Sequence, residues 1–186
     1  MMEVKGAGIT YMPKMIKEKF GEDAYQKWLT SLPEESQKIF QGQILASLWY
    51  SLKYGGLITE NKILELFYNN DISKAWEIGR YAADDTLSGI YRAFVRLGNP
   101  SYIISKAGSI MATFFKPAKI VTAEKEKNRV VLRIVEFAEI TEMLELHIGG
   151  WMERALEICG CQNIQVKINT HLSRGAPYTE YEATWA

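Results

Sequence analysis

Cysteine, histidine and net charge are all scarce in this sequence. Its 186 residues include two cysteines and two histidines, and 22 basic side chains balance 22 acidic ones. Only Gly160 separates Cys159 from Cys161, which leaves too little chain for an unstrained disulfide and excludes a secreted, disulfide-rich scaffold. Proteins that bind nucleic acid usually carry an excess of positive charge. We therefore expect no nucleic-acid partner.

Long apolar runs are also missing. The longest is far short of the roughly 20 residues that span a bilayer, and residues 1–10 lack the basic and apolar segments of a signal peptide. These absences predict a cytoplasmic protein with no membrane span. Hydrophobic residues make up 47% of the chain and charged residues 24%, the ordinary globular balance. Aromatic residues reach 12%, enough to fill a core or to line a pocket.

The hydrophobic pattern changes its period near residue 116. Before that point apolar residues recur every three or four positions, which predicts helices; after it they alternate, which predicts strands around one further helix. The predicted fold class is α+β, with N-terminal helices packed on a C-terminal four-stranded antiparallel sheet (ββαββ). We expect a single domain, 1–186, with a mainly helical part at 1–116 and the ββαββ part at 117–186.

Glycine, proline and capping residues set the predicted boundaries. Residues 43–52 are ambiguous, and Gly55–Gly56 predicts a break. The longest predicted helix is capped by Asp71 or Ser73. The predicted helices are 13–32 with an interruption at Gly21, 34–40, one from Thr59 to about 68, one to about Leu97, one from Pro100 to Phe115, and one from Thr141 to about Cys159. The predicted strands are 120–126, 129–137, 164–170 and 180–185.

No arrangement of reactive side chains predicts catalysis or a metal site. His147, His171, Cys159 and Cys161 lack the paired spacing of a zinc site. His147 flanks an apolar helical stripe, which favours a histidine at the edge of the core over an axial haem ligand. We therefore predict no enzyme activity, no metal and no cofactor, with haem through His147 disfavoured.

The acidic pair Asp84–Asp85 is the other candidate for chemistry. Two neighbouring positions of a helix point about 100° apart, so these carboxylates do not converge on one substrate atom. Arg80 lies four residues before Asp84, a spacing that allows an ion pair. The pattern favours a salt-bridge network over general acid–base catalysis.

Small residues form a stripe along the long helix. Gly79 and Ala83 lie between larger apolar neighbours, and Gly149–Gly150 precedes Trp151 in the last helix. Each helical glycine costs about 1 kcal/mol relative to alanine, a cost that close packing can offset. Tight helix–helix packing and a ligand cavity both explain this pattern. The candidate ligand-binding residues are Trp76, Gly79, Ala83, Phe94, Phe114 and Trp151.

Several packing motifs resemble a known superfamily. It contains the 4-vinyl reductase (V4R) domain, the haem-nitric-oxide-binding sensor domain and the Bet3-like subunits of the transport-protein-particle (TRAPP) tethering complex. The likeness is greatest to an uncharacterised bacterial family expanded in myxobacteria. The motifs are Phe20-Gly21-Glu22-Asp23-Ala24-Tyr25 with Trp28-Leu29, Ile90-Tyr91-Arg92-Ala93-Phe94 with Leu97-Gly98, Gly150-Trp151-Met152-Glu153-Arg154-Ala155-Leu156-Glu157, and Tyr181-Glu182-Ala183-Thr184-Trp185.

The resemblance implies helices against a four-stranded antiparallel sheet, and either an internal site for a small, often apolar molecule or a scaffold for dimerisation. The cysteines of the V4R branch are replaced here around Pro177, Tyr178 and Tyr181, and the Tyr-x-Ser-x-Arg signature of the haem branch is absent. We therefore rank a non-enzymatic sensory or regulatory domain for a small apolar ligand first. A homodimeric protein-interaction module with a packed core ranks second, and a haem-based gas sensor ranks last. The expected partners are a small apolar ligand and either a second copy or a regulatory protein.

Overall fold

The computed structural model describes residues 1–87 and 100–186. Among these residues helices dominate up to residue 114, and a strand–strand–helix–strand–strand unit follows. The predicted α+β class, with helices packed on a four-stranded antiparallel sheet, is confirmed.

The first helices pack around a set of large buried side chains. Glycine occupies position 21, where φ is +93°, and it separates the first two helices as the sequence predicted. Trp28 is fully buried, and its indole N–H donates to the Thr59 carbonyl at 3.1 Å. These helices are α1 (Tyr11–Phe20), α2 (Glu22–Ser31), α3 (Glu34–Gln41) and α4 (Ile58–Phe67).

The predicted break at Gly55–Gly56 is wrong. A π-helical turn, Lys53–Leu57, runs directly into α4, so Thr59 does not cap a helix. Its hydroxyl instead donates to the carbonyls of both glycines, at 3.1 and 2.8 Å. Paired glycines weaken a helix without ending it when the surrounding structure supports the turn.

A second, smaller sheet was not predicted. The ambiguous segment 43–52 contains strand β2 (Trp49–Ser51), which pairs antiparallel with β1 (Glu3–Lys5). On its other side β1 pairs with β3 (Phe115–Lys116). This sheet therefore joins the start of the chain to the end of its helical part.

The long predicted helix is shorter than expected. Helix α5 (Lys74–Thr86) ends well before Leu97, and residues 88–99 lie outside the described residues. The next predicted helix is two helices, α6 (Pro100–Ser105) and α7 (Ala107–Phe114).

The C-terminal unit agrees closely with its sequence pattern. Helix α8 (Glu142–Ile158) is capped by the Thr141 hydroxyl, which accepts a hydrogen bond from the Leu144 N–H at 3.3 Å. All neighbouring strands of the sheet run antiparallel, in the order β4–β5–β7–β6. The strands are β4 (Lys119–Lys125), β5 (Arg129–Glu136), β6 (Gln165–Thr170) and β7 (Thr179–Thr184).

The alternation of side chains gives this sheet one buried face. Ile134, Tyr181 and Ala183 are at most 4% exposed and face the helices. On the other face Arg129 and Arg133 of β5 pair with Glu182 and Glu180 of β7, at 2.5 and 2.7 Å. The buried face forms one wall of the site described below.

In the part of the chain that the structure describes, no helix is both long enough and apolar enough to cross a membrane.

Candidate functional site

An apolar cavity of about 110 Å³ lies between helices α5, α7 and α8 and the buried face of the larger sheet. Its volume approaches that of an engineered cavity of about 150 Å³ that holds benzene or xenon. The lining residues that the structure describes are Gly8, Ala82, Thr86, Ile104, Ala107, Ile110, Met111, Phe114, Phe115, Ile120, Val130, Leu132, His147, Ile148, Trp151, Met152, Ala155, Leu156, Tyr181 and Ala183.

A buried polar cluster meets this cavity at His147. Nδ1 of His147 lies 2.9 Å from one carboxylate oxygen of Glu60, and the Tyr11 hydroxyl donates to the other carboxylate oxygen at 2.9 Å. Tyr11 is fully buried, Glu60 is 3% exposed and His147 is 8% exposed. These three residues come from α1, α4 and α8, so the cluster connects the helical part of the chain to the ββαββ unit.

The chemistry of the three groups constrains the directions of the hydrogen bonds in this cluster. Burial, together with the negative charge and hydrogen bond of Glu60, raises the pKa of Tyr11 well above its ordinary value, so its hydroxyl donates. A carboxylate accepts hydrogen bonds at both oxygens, so the contact with Glu60 is completed when Nδ1 of His147 donates. Nε2 has no hydrogen-bond partner among the described residues. His147 is also one of the residues that line the cavity.

The contact between α5 and α8 beside the cavity is filled. A Cβ atom on Gly79 would lie 1.9 Å from the carbonyl oxygen of His147, and one on Gly150 would lie 2.1 Å from that of Trp76. The Trp76 ring covers Gly149 in the same way, with its nearest atom 2.4 Å from a Cβ built there. Of the two explanations for the small residues, tight packing applies at this contact.

The residues predicted to bind a ligand occupy different places. Phe114 and Trp151 line the cavity with their rings edge to face, 6.1 Å apart. Trp76 and Gly79 belong to the packed contact, and Ala83 is fully buried. None of the three is among the described lining residues. Phe94 lies outside the described residues. A ligand-binding role for any of the six stays a prediction.

Tyr11 and Glu60 were not singled out from the sequence. A signal was available for Glu60, since it lies three and four residues before the buried Ile63 and Leu64 and so shares their face of α4. A carboxylate on a buried helical stripe requires a partner. The partner is a histidine 87 residues later in the chain, and only the tertiary structure identifies it.

The acidic pair forms the expected salt-bridge network, but across helices. Asp84 accepts from Arg154 of α8 at 2.9 Å, and Asp85 accepts from Lys14 of α1 at 3.0 Å. Arg80 pairs with Glu153 and Glu157 rather than with Asp84. Charged groups therefore rim the packed contact outside the cavity.

The other potential metal ligands are dispersed. His171 is bound to Glu145 at 2.7 Å. Burial, and to a lesser degree the charge of Cys161, raises the pKa of the Cys159 thiol to about 12, which makes it a poor nucleophile and ligand. Within residues 1–87 and 100–186, no group of three or more His, Cys, Asp or Glu side chains is arranged to hold a metal ion.

No family model and no curated protein matches the chain, but solved structures do. An H-NOX protein from S. oneidensis in the Fe(II)NO ligation state superposes with a TM-score of 0.73 at 12% identity, covering 98% of this chain and 99% of that one. The chain has the fold of the H-NOX domains. An Fe(II) unliganded H-NOX protein from K. algicida gives 0.67 at 14% identity, over 98% and 96%. A mutant H-NOX protein from T. tengcongensis gives 0.67 at 13%, covering 97% of each chain.

The H-NOX likeness corrects two expectations. The sequence ranked an apolar-ligand domain first, a homodimeric scaffold second and a haem-based gas sensor last, and it predicted no cofactor, with haem through His147 disfavoured. Several of the matched structures are of Fe(II) proteins, with NO and CO ligation states among them, and this contradicts both the ranking and the expected absence of a cofactor. Haem was disfavoured on two grounds, the absence of the Tyr-x-Ser-x-Arg signature and the interpretation of His147 as a histidine at the edge of the core. The haem-nitric-oxide-binding part of the resemblance agrees with the matched fold, while its V4R, Bet3-like and myxobacterial parts stay predictions.

The cavity suits haem in its donor and in the character of its walls. Histidines that bind metals usually donate their second ring N–H to a carboxylate or carbonyl, and Nδ1 of His147 lies 2.9 Å from a carboxylate oxygen of Glu60. A histidine is also a common axial ligand of haem iron. Since the cavity is smaller than the ~300 Å³ at which ordinary ligand pockets begin, haem binding requires lining side chains to move apart. Met111 and Met152, both unbranched and flexible, are the lining residues best suited to do so.

Proposed function

We propose that this chain is a haem-based gas-sensing domain in which His147 would hold the haem iron through Nε2. The observation that carries the proposal is the buried Glu60–His147 hydrogen bond at the wall of an apolar cavity. The other imidazole nitrogen, Nε2, has no hydrogen-bond partner among the described residues. The H-NOX fold supports the same function, because its solved members include Fe(II) proteins with NO and CO bound.

The chain's own residues have distinct parts in this proposal. When bound, haem would supply an iron atom that takes up a diatomic gas. Glu60 orients the His147 ring, and the apolar side chains around the cavity exclude water. Thr86 accepts a hydrogen bond from the Trp151 indole at 3.1 Å, which satisfies the one polar group of that ring.

Helix α8 is the proposed route from the site to the rest of the molecule. It carries His147 and packs on α5 at Gly79. Its Glu145 carbonyl oxygen also accepts a hydrogen bond at 2.9 Å from the hydroxyl of Tyr181 in β7. A displacement of His147 would therefore be transmitted to both the helical part and the sheet. We propose a conformational output rather than a catalysed reaction, passed in the cytoplasm to a second copy or to a regulatory protein.

Haemin titration of the purified chain, followed by absorption spectroscopy, tests the proposal. The chain contains only two histidines, so His171→Ala is a matched control for His147→Ala. We expect the wild-type protein and the His171→Ala variant to shift the Soret band of haemin with a 1:1 end point. We expect His147→Ala to lose that shift, and added imidazole to restore it.

Two results would contradict the proposed function. One is a wild-type spectrum indistinguishable from that of free haemin. The other is a His147→Ala spectrum identical to wild type, which would remove His147 as the ligand. Circular dichroism of each variant separates loss of the axial ligand from loss of the fold.

A further inference from the structure

The chain buries a carboxylate where an apolar residue would be less costly. Removing an ion from water costs several kcal/mol unless partners replace the lost hydration. Glu60 has two such partners, the Tyr11 hydroxyl and Nδ1 of His147, each at 2.9 Å from a different carboxylate oxygen. Each carboxylate oxygen therefore has one donor, and neither donor can be satisfied by an aliphatic side chain at position 60.

The three side chains are held rigidly from separate helices. The rings of Tyr11 and His147 lie 5.8 Å apart at a tilt of 50°, and both flank the Glu60 carboxylate. The backbone at His147 is fixed as well, because Gly79 of α5 packs directly on its carbonyl. Rotation of the imidazole would therefore break the bond to Glu60 without offering Nδ1 another partner among the described residues.

We propose that Glu60 is a positioning residue that fixes His147 as the tautomer with its proton on Nδ1. This assignment deepens the proposed function, because it accounts for an unprotonated Nε2 at the cavity. The arrangement itself concerns the chain without haem and can be tested without it.

The physical argument rests on which groups can donate. A neutral imidazole has one N–H donor and one acceptor nitrogen, and the bond made by one nitrogen decides the role of the other. A carboxylate facing Nδ1 selects the proton there. Tyr11 and His147 contact different oxygens of Glu60. An amide at position 60 would place its oxygen at one of them and its NH₂ group at the other, and an NH₂ group facing Nδ1 would donate to it.

Nitrogen-15 NMR of the haem-free chain, labelled at histidine, measures the tautomer directly. We expect wild-type His147 to show a protonated Nδ1 and an unprotonated Nε2. In Glu60→Gln we expect a population with the proton on Nε2 to appear, while the signals of His171 stay unchanged. Tyr11→Phe is the matched control, since it also disrupts the buried cluster but leaves both carboxylate oxygens free to accept, and we expect it to keep the wild-type tautomer.

A purely structural role for the cluster predicts a different result. It would lower the stability of both variants without changing the tautomer of His147. The proposal is overturned if wild-type His147 carries its proton on Nε2 or on both nitrogens. It is equally overturned if Glu60→Gln leaves the tautomer as it was.

Haem binding then separates this proposal from the proposed function. Loss of a hydrogen bond behind a metal-bound histidine typically costs about 10–100-fold in affinity, so we expect a haemin Kd raised by that factor in Glu60→Gln and by less in Tyr11→Phe. Equal haemin affinity of wild type and Glu60→Gln would overturn the positioning role and leave the proposed function standing. The expected tautomer in a wild-type chain that binds no haemin would contradict the proposed function and leave the tautomer assignment standing.

Discussion

Gly79→Ala is the substitution that most severely tests the packing of α5 on α8. The added Cβ would lie 1.9 Å from the His147 carbonyl oxygen, about 1.5 Å inside the 3.4 Å at which ordinary contact begins. Its next neighbours are the carbonyl carbon and Cα of the same residue, at 2.7 and 3.0 Å. Because these are backbone atoms, relief requires one helix to move rather than a side chain to rotate.

The magnitude follows from two opposing effects. Overpacking a close contact costs about 1–3 kcal/mol, and a clash with backbone belongs at the upper end of that range. Replacing a helical glycine by alanine returns about 1 kcal/mol. We expect a net loss of about 2 kcal/mol in the free energy of unfolding, or roughly 4–8 °C in Tm for a chain of this size.

Urea denaturation followed by circular dichroism measures the change. Gly108→Ala is the matched control, because a Cβ there would lie at an ordinary 3.5 Å from the Ile120 carbonyl oxygen. We expect that variant to be as stable as wild type or slightly more so. At an unobstructed helix position, replacing glycine by alanine increases stability. If Gly79→Ala also increases stability, the close approach of α5 and α8 is refuted.

Two further predictions concern Glu145 and Gly21. Burial acts to raise the pKa of Glu145, but hydrogen bonds from Ser173, Thr179 and His171 together outweigh burial and hold that pKa below its ordinary value. The stability that results is fully present above the unfolded pKa of about 4.3, and it is lost as the pH falls through the folded pKa. Glu145→Gln should therefore cost about 2 kcal/mol at pH 7 and flatten the acid limb of a stability–pH curve, and an unchanged acid limb would contradict this. Gly21→Ala should cost about 1–3 kcal/mol in urea denaturation, because φ +93° with ψ 171° is a backbone conformation adopted almost only by glycine. Gly42→Ala, at φ −91°, should cost less, and equal costs would remove the backbone explanation.

The sequence predicted best the elements whose signal is local. Alternation in 129–137 and 180–185 requires only neighbouring residues, and both strands form close to those bounds. The small sheet was missed because its strands are two or three residues long, too short for a period. Their pairing also joins Val4 to Tyr50 and to Phe115, and no local pattern records such distant partners.

The candidate site was predicted only in part for the same reason. Trp151 and Phe114 are large apolar residues on helical stripes, and both line the cavity. The sequence could not distinguish a packed contact from a hollow one at Gly79, because that depends on the distance between two helices. His147 was noticed but ranked as an ordinary core-edge residue. Its pairing with Glu60, on which the proposed function rests, becomes visible only when α4 and α8 are brought together.

The most direct test of the account is the haem content of the chain purified from cells supplied with haem. The proposal predicts about one haem per chain in the wild-type protein and in His171→Ala, and none in a folded His147→Ala variant. On reduction, the loaded protein should change its absorption spectrum when CO or NO is added. A folded wild-type chain that purifies without haem and fails to take it up would contradict the central claim.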